Sequence, residues 1–600
     1  MFIRQCYRVK NGKRHAYWAL VESYRAERGP RQRVVAWLGK LDEAGRLGVQ
    51  QAADGDAATS SAVTQPSLFA EESADVEPRW VEVDASAVRV ENCRQFGGPW
   101  LALELIRRLQ LDEFLTRVMP RGREQVPWSH TALILMIGRL LDPSSELHTS
   151  EQWYPKTALP ELLGVPIHRV DDNRLYRALD ELLPHKEALE VHLKNRMGSL
   201  FQLEYDLLMY DVTSTFFEGR ADFELAQRGY SRDQRSDCQQ VCIGLVVSRC
   251  GMPLGYEVFA GNTADVTTVE HIVTTMERRY GKSDRVWVMD RGMVSEANLT
   301  FLREGGRRYI VGTPKSLLKK FEQQLLKEDW RTIREGLEVK LCTAPRAEAA
   351  DDDVAEADAS ASVAATPETF ILCRSRDRAQ KDGAIVRRSE DHIADRLKAM
   401  AARCEKQKRQ PMKVEREVGR LLGQNTRAAR LFEVTVETTD NGHARLNWKK
   451  VEALRDWSTL SAGCYLLRTN VQEWSDEELW KAYIQLTEAE AAFRIQKSDL
   501  SLRPIWHHKQ DRVLAHILVC FLSYVLWKTL GQLCQAAGLG NEPRRVLSEL
   551  SDIRLVDVVL PTRAGIDIRK RCISRPSDHQ QILLDKLALT LPRKIIPPQM

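Results

Sequence analysis

Three acidic residues in three separate segments are the first candidates for chemistry. Asp211 follows the apolar run LLMY, Asp290 follows VWVM, and Glu490 lies in the stretch YIQLTEAEAAFRIQK. Ligands collect outside the carboxyl ends of strands in α/β sheets, and Mg²⁺ prefers carboxylate oxygen. Two such ions, about 3.5–4 Å apart, can hold the attacking and leaving oxygens of a phosphoryl transfer. A carboxylate at a strand end is also a common turn or capping residue, so the convergence of the three acids is a hypothesis.

The third acid lies in residues 483–497, which contain no Gly or Pro and are rich in good helix formers. This composition predicts one helix. Tyr483, Glu490 and Lys497 are spaced by seven residues, close to two helical turns, and Arg494 is four residues beyond Glu490. The spacing predicts one face on which a carboxylate that could hold a metal lies between groups that could hold phosphate.

The elements that must position these acids are predicted from apolar runs. Residues 203–312 predict the order β-β-β-α-β-α-β, with the first strand ending at Asp211. The first three strands are expected to be antiparallel, and the later ones parallel because helices connect them. The strand-like run at 464–470 is expected to return to the same sheet after a long interruption.

Composition limits the class of protein. With 600 residues, 43% hydrophobic and 28% charged, the chain is expected to be a soluble protein of several domains. The most apolar stretch, 513–527, is too short to span a membrane and contains His516, which favours a buried helix. The N-terminus has no secretory signal pattern. Cys238 and Cys242 match no zinc spacing, which favours reduced cysteines in a cytosolic protein.

Changes of composition divide the chain into seven predicted segments. These are a small β-meander module at 1–47, a flexible linker at 48–80, a helical region at 81–200, a first part of a catalytic core at 201–312, an insertion domain at 313–462, a second part of the core at 463–535 and a C-terminal region at 536–600. Within the insertion domain, the acidic segment 345–368 is predicted to be disordered and 374–430 is strongly basic.

Three of these segments have two interpretations each. The β-meander, with a hairpin predicted at Asn11-Gly12, is either an accessory DNA-contacting module or a packing module. The helices within 81–200 either read DNA or only pack. The basic run 374–430 is either a surface for the DNA backbone or a solvated helix face.

His507 and His508 could be metal ligands, but neutral, hydrogen-bonded histidines are the favoured interpretation.

The strand order, the positions of Asp211 and Asp290 and the 483–497 spacing resemble the DDE transposases of bacterial insertion sequences. In the insertion-sequence-four-like group, the third acid belongs to a signature of Tyr, two residues, Arg, three residues, Glu, six residues and Lys. Tyr483, Glu490 and Lys497 match this signature in register, whereas Leu486 occupies the Arg position.

The resemblance implies a fold and a reaction. The fold would be a ribonuclease-H-like mixed α/β sheet flanked by helices, interrupted by a large insertion, with a helical N-terminal region and a small β module. Two Mg²⁺ ions, for which Mn²⁺ can substitute, would be held by Asp211, Asp290 and Glu490. The enzyme would cut the ends of its element and join the released 3′-hydroxyl to target DNA. The resemblance assigns DNA contacts to Tyr483, Arg494, Lys497 and Trp448.

The implied partners are double-stranded DNA, both the terminal inverted repeats and the target, and a second copy of the chain in the synaptic complex. A bacterial cytoplasmic, nucleoid-associated location without a membrane is expected. Two alternatives remain open. One is a metal-dependent ribonuclease-H-like nuclease that does not integrate DNA, and the other is a non-catalytic DNA-binding protein derived from a transposase.

Overall fold

The computed structural model describes residues 2–10, 13–26, 29–39, 80–343, 368–439, 441–592 and 595. The predicted turn at Asn11-Gly12 lies outside the described residues. So do all but the last residue of the predicted linker and of the acidic segment.

The described strands and helices are labelled in chain order. The strands are β1 Phe2–Lys10, β2 Lys13–Ala26, β3 Gly29–Gly39, β4 Arg89–Gln95, β5 Leu207–Phe216, β6 Gln240–Ser248, β7 Pro253–Ala260, β8 Val286–Met289, β9 Arg308–Gly312, β10 Arg331–Arg334, β11 Leu337–Thr343, β12 Thr369–Ser375, β13 Phe432–Thr438, β14 Ala444–Lys450, β15 Cys464–Thr469, β16 Arg554–Pro561 and β17 Asp567–Ile573. The α-helices are α1 Gly97–Arg108, α2 Leu111–Val118, α3 Trp128–Leu141, α4 Glu146–His148, α5 Leu159–Leu163, α6 Asp172–Leu182, α7 Lys186–Phe201, α8 Val269–Tyr280, α9 Glu296–Glu304, α10 Glu322–Leu326, α11 Arg376–Lys406, α12 Pro411–Gln424, α13 Thr426–Ala429, α14 Glu452–Leu460, α15 Asp476–Ile484, α16 Thr487–Arg494, α17 Gln510–Ala536, α18 Pro543–Ser551 and α19 Asp578–Lys586.

A large mixed sheet organises the described chain. Its nine described strands follow the order β10-β11-β12-β15-β9-β8-β5-β6-β7. Strand β6 pairs antiparallel with β5 and β7, whereas β8 pairs parallel with β5 and β9. The tight connection from β6 to β7 reverses the chain, and α8 and α9 provide the crossovers that parallel pairing requires. The predicted α/β class, a large mixed sheet flanked by helices, is confirmed.

Side chains of β5 alternate between two apolar cores, because successive residues of a strand point to opposite faces. Leu207 and Met209 belong to the core that contains α17, and Leu208 and Tyr210 belong to the core that contains α8 and α9. By the same alternation, Asp211 points to the face covered by α17. The sheet is therefore covered by helices on both faces.

Helix α17 is the central element of the larger core. It is long and apolar enough to cross a membrane by length and composition, but 94% of its most apolar window is buried inside the protein. The buried helix predicted at 513–527 is therefore confirmed, and it continues to Ala536. It packs beside α3, α6 and β7, so it connects the helical region to the sheet.

The predicted insertion at 313–462 divides into two parts. Strands β10, β11 and β12 extend the central sheet beyond β15, which itself pairs antiparallel with β9. Helices α11 and α12 and the β13–β14 hairpin instead share an apolar core of their own. We call this second part, residues 376–450, the arm.

Both chain ends contribute small sheets. Strands β1, β2 and β3 form an antiparallel sheet, as the meander prediction requires, and Ala19 and Val21 in β2 are buried. Near the C-terminus, β16 pairs antiparallel with β17 and with β4. The region after 536 therefore packs as a sheet and two helices against the N-terminal helical region.

The prediction that residues 483–497 form one helix is wrong. The stretch 483–497 is not one helix, because α15 ends at Ile484, α16 begins at Thr487, and a π-helical turn covers Ile495–Asp499. Leu486, between the two helices, is buried in the apolar core at 7% exposure. Because the helix is interrupted there and wider at its end, seven residues no longer correspond to two turns of one face.

Candidate active site

Asp211 lies within β5, so the prediction that this strand ends at Asp211 is wrong. The strand continues to Phe216 by pairing with β6, whereas its parallel pairing with β8 ends at Tyr210. Asp211 is thus the first residue beyond the parallel part of the strand. Its half-buried carboxylate accepts a hydrogen bond of 2.8 Å from the Val212 N–H.

Asp290 lies beside Asp211 because of the strand register. Tyr210 is paired with Met289 in the parallel β5–β8 ladder, so the next residue of each strand is one of the two aspartates. The Tyr483 hydroxyl donates to Asp290 Oδ1 over 3.5 Å. A Cβ on Gly312 would lie 2.5 Å from the Tyr483 oxygen, so the close approach of Tyr483 requires glycine at the end of β9.

Glu490 reaches the same region from α16. Ala489, Ala492 and Phe493 bury one side of this helix against the sheet, next to β5 and β6, and leave Glu490 exposed. The oxygens of the three acids are not all within 4.8 Å of one another, as a closed ligand cluster would require. Their charges are nevertheless close enough to interact.

Repulsion among the three acids contributes to a raised pKa at Asp211. The pKa of Asp211 is raised to about 7, chiefly by burial and also by the negative charges of Asp290 and Glu490, against the opposing effects of the Val212 hydrogen bond and of Arg232. Among the described side chains, none forms an ion pair with any of the three acids. Half-buried and exposed carboxylates that lack a cation are a donor set that fits divalent metal ions.

The predicted phosphate-binding residues have different surroundings. Arg494 is exposed at the end of α16. The Lys497 side chain is only 9% exposed, and its Nζ lies 3.0 Å from Asp233 Oδ1. Arg503 contacts the same carboxylate. Burial lowers the pKa of Lys497, while the hydrogen bond to Asp233 opposes that shift. Lys497 is therefore part of an internal ion pair.

Two residues beside the acids have no counterpart in the sequence prediction. Arg232, in the β5–β6 loop (217–239), donates to both carboxylate oxygens of Asp265, and its backbone N–H donates to Ser214 Oγ at 3.2 Å. The proximity of Arg232 lowers the pKa of Asp211 against the effect of burial. Asp233, the next residue in this loop, joins Lys497 and Arg503. Irregular loops have no period, so only the concentration of Arg and Asp in the loop could have indicated these roles.

Trp448 lies on β14 in the arm, away from the three acids in the topology. It is half-buried, and its ring centroid lies 6.0 Å from that of Phe432 within the arm's apolar core. These contacts favour a packing role, and the predicted contact with a displaced base stays a prediction.

Exposed basic side chains on α11 and α12 outnumber exposed acidic ones. They include Arg376, Arg378, Lys381, Arg387, Arg388, Arg396, Lys398, Lys406, Lys413, Arg416 and Arg420.

Comparisons with known proteins identify the family of the chain. The family model described as "Transposase DDE domain" matches residues 206–526, which is more than half of the chain. The model described as "IS1634 family transposase, N-terminal domain" matches residues 3–62. No curated protein matches the chain. Among solved structures, a piggyBac transposase synaptic complex with hairpin DNA is similar over 79% of this chain and 82% of that chain, with 9% identity and a TM-score of 0.34.

A mixed α/β sheet with two aspartates side by side on neighbouring strands, together with the match over residues 206–526, defines an enzyme that acts on DNA. The chain belongs to the DDE transposases of bacterial insertion sequences, and its N-terminal segment matches the module of the IS1634 family. Its reaction is therefore DNA transposition, and the family implies dependence on a divalent metal. The predicted family and function are confirmed.

Proposed function

We propose that Asp211, Asp290 and Glu490 are the catalytic carboxylates of this transposase and that they hold two Mg²⁺ ions. The observation that carries the proposal is the register of β5 and β8, which brings Asp211 and Asp290 side by side, with the charge of Glu490 close enough to raise the pKa of Asp211. Three antiparallel strands followed by two parallel ones, with the acids beside the first and fourth, also support the ribonuclease-H-like class.

Each acid has a distinct role in this proposal. When bound, the ions would activate water and stabilise the attacking and leaving oxygens of an in-line displacement at phosphorus. Asp211 must lose its proton to become a ligand, and its pKa of about 7 makes that loss dependent on pH near neutrality. The Tyr483 hydroxyl is placed to donate a weak hydrogen bond to Asp290 Oδ1 at 3.5 Å. Glu490, on the exposed side of α16, completes the donor set from above the sheet.

The surrounding cations would hold the polyanion. Arg494 is exposed on the helix that carries Glu490, so it is placed to contact a phosphate near the cut. Lys497 can bind phosphate only after it leaves Asp233. The exposed basic side chains of the arm helices are proposed to contact the DNA backbone, since phosphate contacts supply most non-specific affinity. Two chains are proposed to act together, because both ends of an element must be cut and joined.

The test is Mg²⁺-dependent cleavage of a duplex that carries the terminal repeat of the element. Asp211→Asn and Glu490→Gln are expected to abolish cleavage. Glu488→Gln is the matched control, because Glu488 lies on the same helix but pairs with Lys528 at 3.2 Å. Retained cleavage in both variants would contradict the assignment of the acids.

A second assay separates the reaction from that of a simple nuclease. A labelled, pre-cut end is offered to a second duplex, and joined product is measured. Joining that disappears in Asp211→Asn supports transposition by this site. Efficient cleavage without any joining would favour the nuclease alternative.

A further inference from the structure

A second group of potential metal ligands lies outside the acidic centre. Glu146, His507 and His516 each offer one ligand atom, and these atoms all lie within 4.8 Å of one another. The residues come from α4, from the segment that follows the Lys497 turn, and from the core helix α17. We propose that these three side chains form a zinc site that joins the helical region to the segment beyond the third acid.

The spacing within the group suits zinc better than it suits a hydrogen bond. His507 Nε2 lies 3.5 Å from Glu146 Oε1, which is longer than the 2.7–3.2 Å of ordinary N–H···O bonds. Zinc binds His nitrogen and carboxylate oxygen at about 2.0–2.2 Å in a tetrahedron, whose ligand-to-ligand edge is therefore about 3.3–3.6 Å. The observed separation equals such an edge.

The tautomer of His516 is fixed as a metal site requires. His516 Nε2 lies 3.3 Å from the Leu502 carbonyl oxygen, to which it donates, so the lone pair remains on Nδ1. Metal-binding histidines commonly donate their other ring N–H to a carbonyl in this way. Burial holds the pKa of His516 well below its usual value, so the ring is neutral.

Glu146 is ionised although it is buried. Burial alone would raise its pKa, but the contact with His507 and the charge of Arg139 outweigh that effect and lower the pKa to about 2. Carboxylates bind metals in their ionised form, which the lowered pKa of Glu146 favours. A neighbouring cavity of about 10 Å³, lined in part by Glu146 and His516, has room for about one water molecule or ion.

Arg139 provides the competing arrangement. Its Nη2 lies 3.5 Å from His516 Nδ1, the atom that would bind zinc, and its Nη1 lies 3.5 Å from the Ser501 carbonyl oxygen. Both distances are long, so neither contact holds the guanidinium firmly. Zinc binding requires Arg139 to move away from Nδ1. Without zinc, Arg139, His516, His507 and Glu146 lie beside one another with only long polar contacts.

Neighbouring histidines provide a matched pair of variants. His507 belongs to the group, whereas His508 is exposed and its Nδ1 contacts the Arg220 carbonyl oxygen at 3.1 Å. The full-length chain is treated with chelator and then titrated with Zn²⁺ or Co²⁺ alone. The Asp211→Asn background is used throughout, so that metal at the proposed catalytic acids does not contribute.

We expect one Zn²⁺ per chain, a higher melting temperature with Zn²⁺ and intense visible Co²⁺ absorption from a tetrahedral site with nitrogen ligands. His508→Ala should retain all three results, and His507→Ala should lose them. Melting in chelator shows whether each variant is folded, and Glu146→Gln provides a second variant if His507→Ala is not. The proposal is overturned if Zn²⁺ does not bind, or if it binds His507→Ala and Glu146→Gln as tightly as the parent. Because no readout depends on DNA cleavage, failure here is distinct from failure of the proposed active site.

Discussion

Carboxylates are ion-paired in one region of the molecule and are without an ion pair in another. Glu190, on α7, is fully buried and lies 2.5 Å from Arg279 and 3.2 Å from Lys186. Asp211, Asp290 and Glu490 stand together without a cation among the described side chains paired to any of them. The first region uses ion pairs to attach α7 to the sheet. The second leaves negative charge without an ion pair, at a cost to stability, in the place where we propose that metal ions bind.

The largest expected effect separates activity from stability at Asp211. Asp211→Asn should lower the rate of cleavage by about 1,000-fold or more, since the loss of metal-supplied stabilisation is worth several kcal/mol. The same change should not lower the melting temperature, because it removes a repelled, half-buried charge. Cleavage rates and thermal melts on one preparation measure both. A variant that loses activity together with several degrees of stability would contradict the comparison.

At Glu190 the reverse is expected. Glu190→Ala leaves Arg279 and Lys186 without their shared buried partner, and breaking such a network typically costs about 3–5 kcal/mol. Urea unfolding should record this loss. Below the unfolding transition, the folded fraction should still cleave DNA at the parent rate per folded molecule. Glu187→Ala is a suitable control, because Glu187 contacts Arg279 from an exposed position.

An intermediate effect is expected at Asp233, which joins Lys497 and Arg503 while itself only 6% exposed. Asp233→Asn should lower the free energy of unfolding by about 1–3 kcal/mol, because it leaves two cations near an uncharged amide. If Lys497 becomes available to phosphate, non-specific DNA affinity should also fall more steeply with salt. The control is Asp237→Asn, which removes an exposed charge from the same loop. An unchanged salt slope would exclude this role of Lys497.

The smallest effect concerns pH. The pKa of Asp211 is raised to about 7, so the folded chain keeps a proton that the unfolded chain loses near pH 4. The resulting stabilisation is fully present below pH 4 and is lost as pH rises through 7. In chelator, the free energy of unfolding of the parent should fall between pH 5 and 8 by about 1–2 kcal/mol more than that of Asp211→Asn, allowing for partial exposure. Equal pH dependence in the two proteins would show that folding does not raise the pKa of Asp211.

The sequence allowed accurate prediction where one period dominated. Alternating and apolar runs identified the strands of the sheet, and Asp290 follows β8 as predicted. The prediction of one helix over 483–497 was wrong because Leu486 is buried in the core between two helices. Such tertiary packing cannot be read from residue spacing. Asp233 and Glu146 were missed because their partners, Lys497 and His507, are hundreds of residues away along the chain. Such pairings depend on how the sheet and α17 bring distant segments together.

The most direct test of the central claim is metal binding itself. Mn²⁺ binding to the full-length chain can be counted by electron paramagnetic resonance, with His507→Ala present in every protein so that the proposed Glu146 site does not contribute. We expect two Mn²⁺ ions per chain in the parent and in Glu488→Gln, and at least about tenfold weaker binding in Asp211→Asn and in Glu490→Gln, since a lost ligand costs more than 1.4 kcal/mol. Unchanged Mn²⁺ binding in both of these variants would contradict the account that these carboxylates are left unpaired to hold metal.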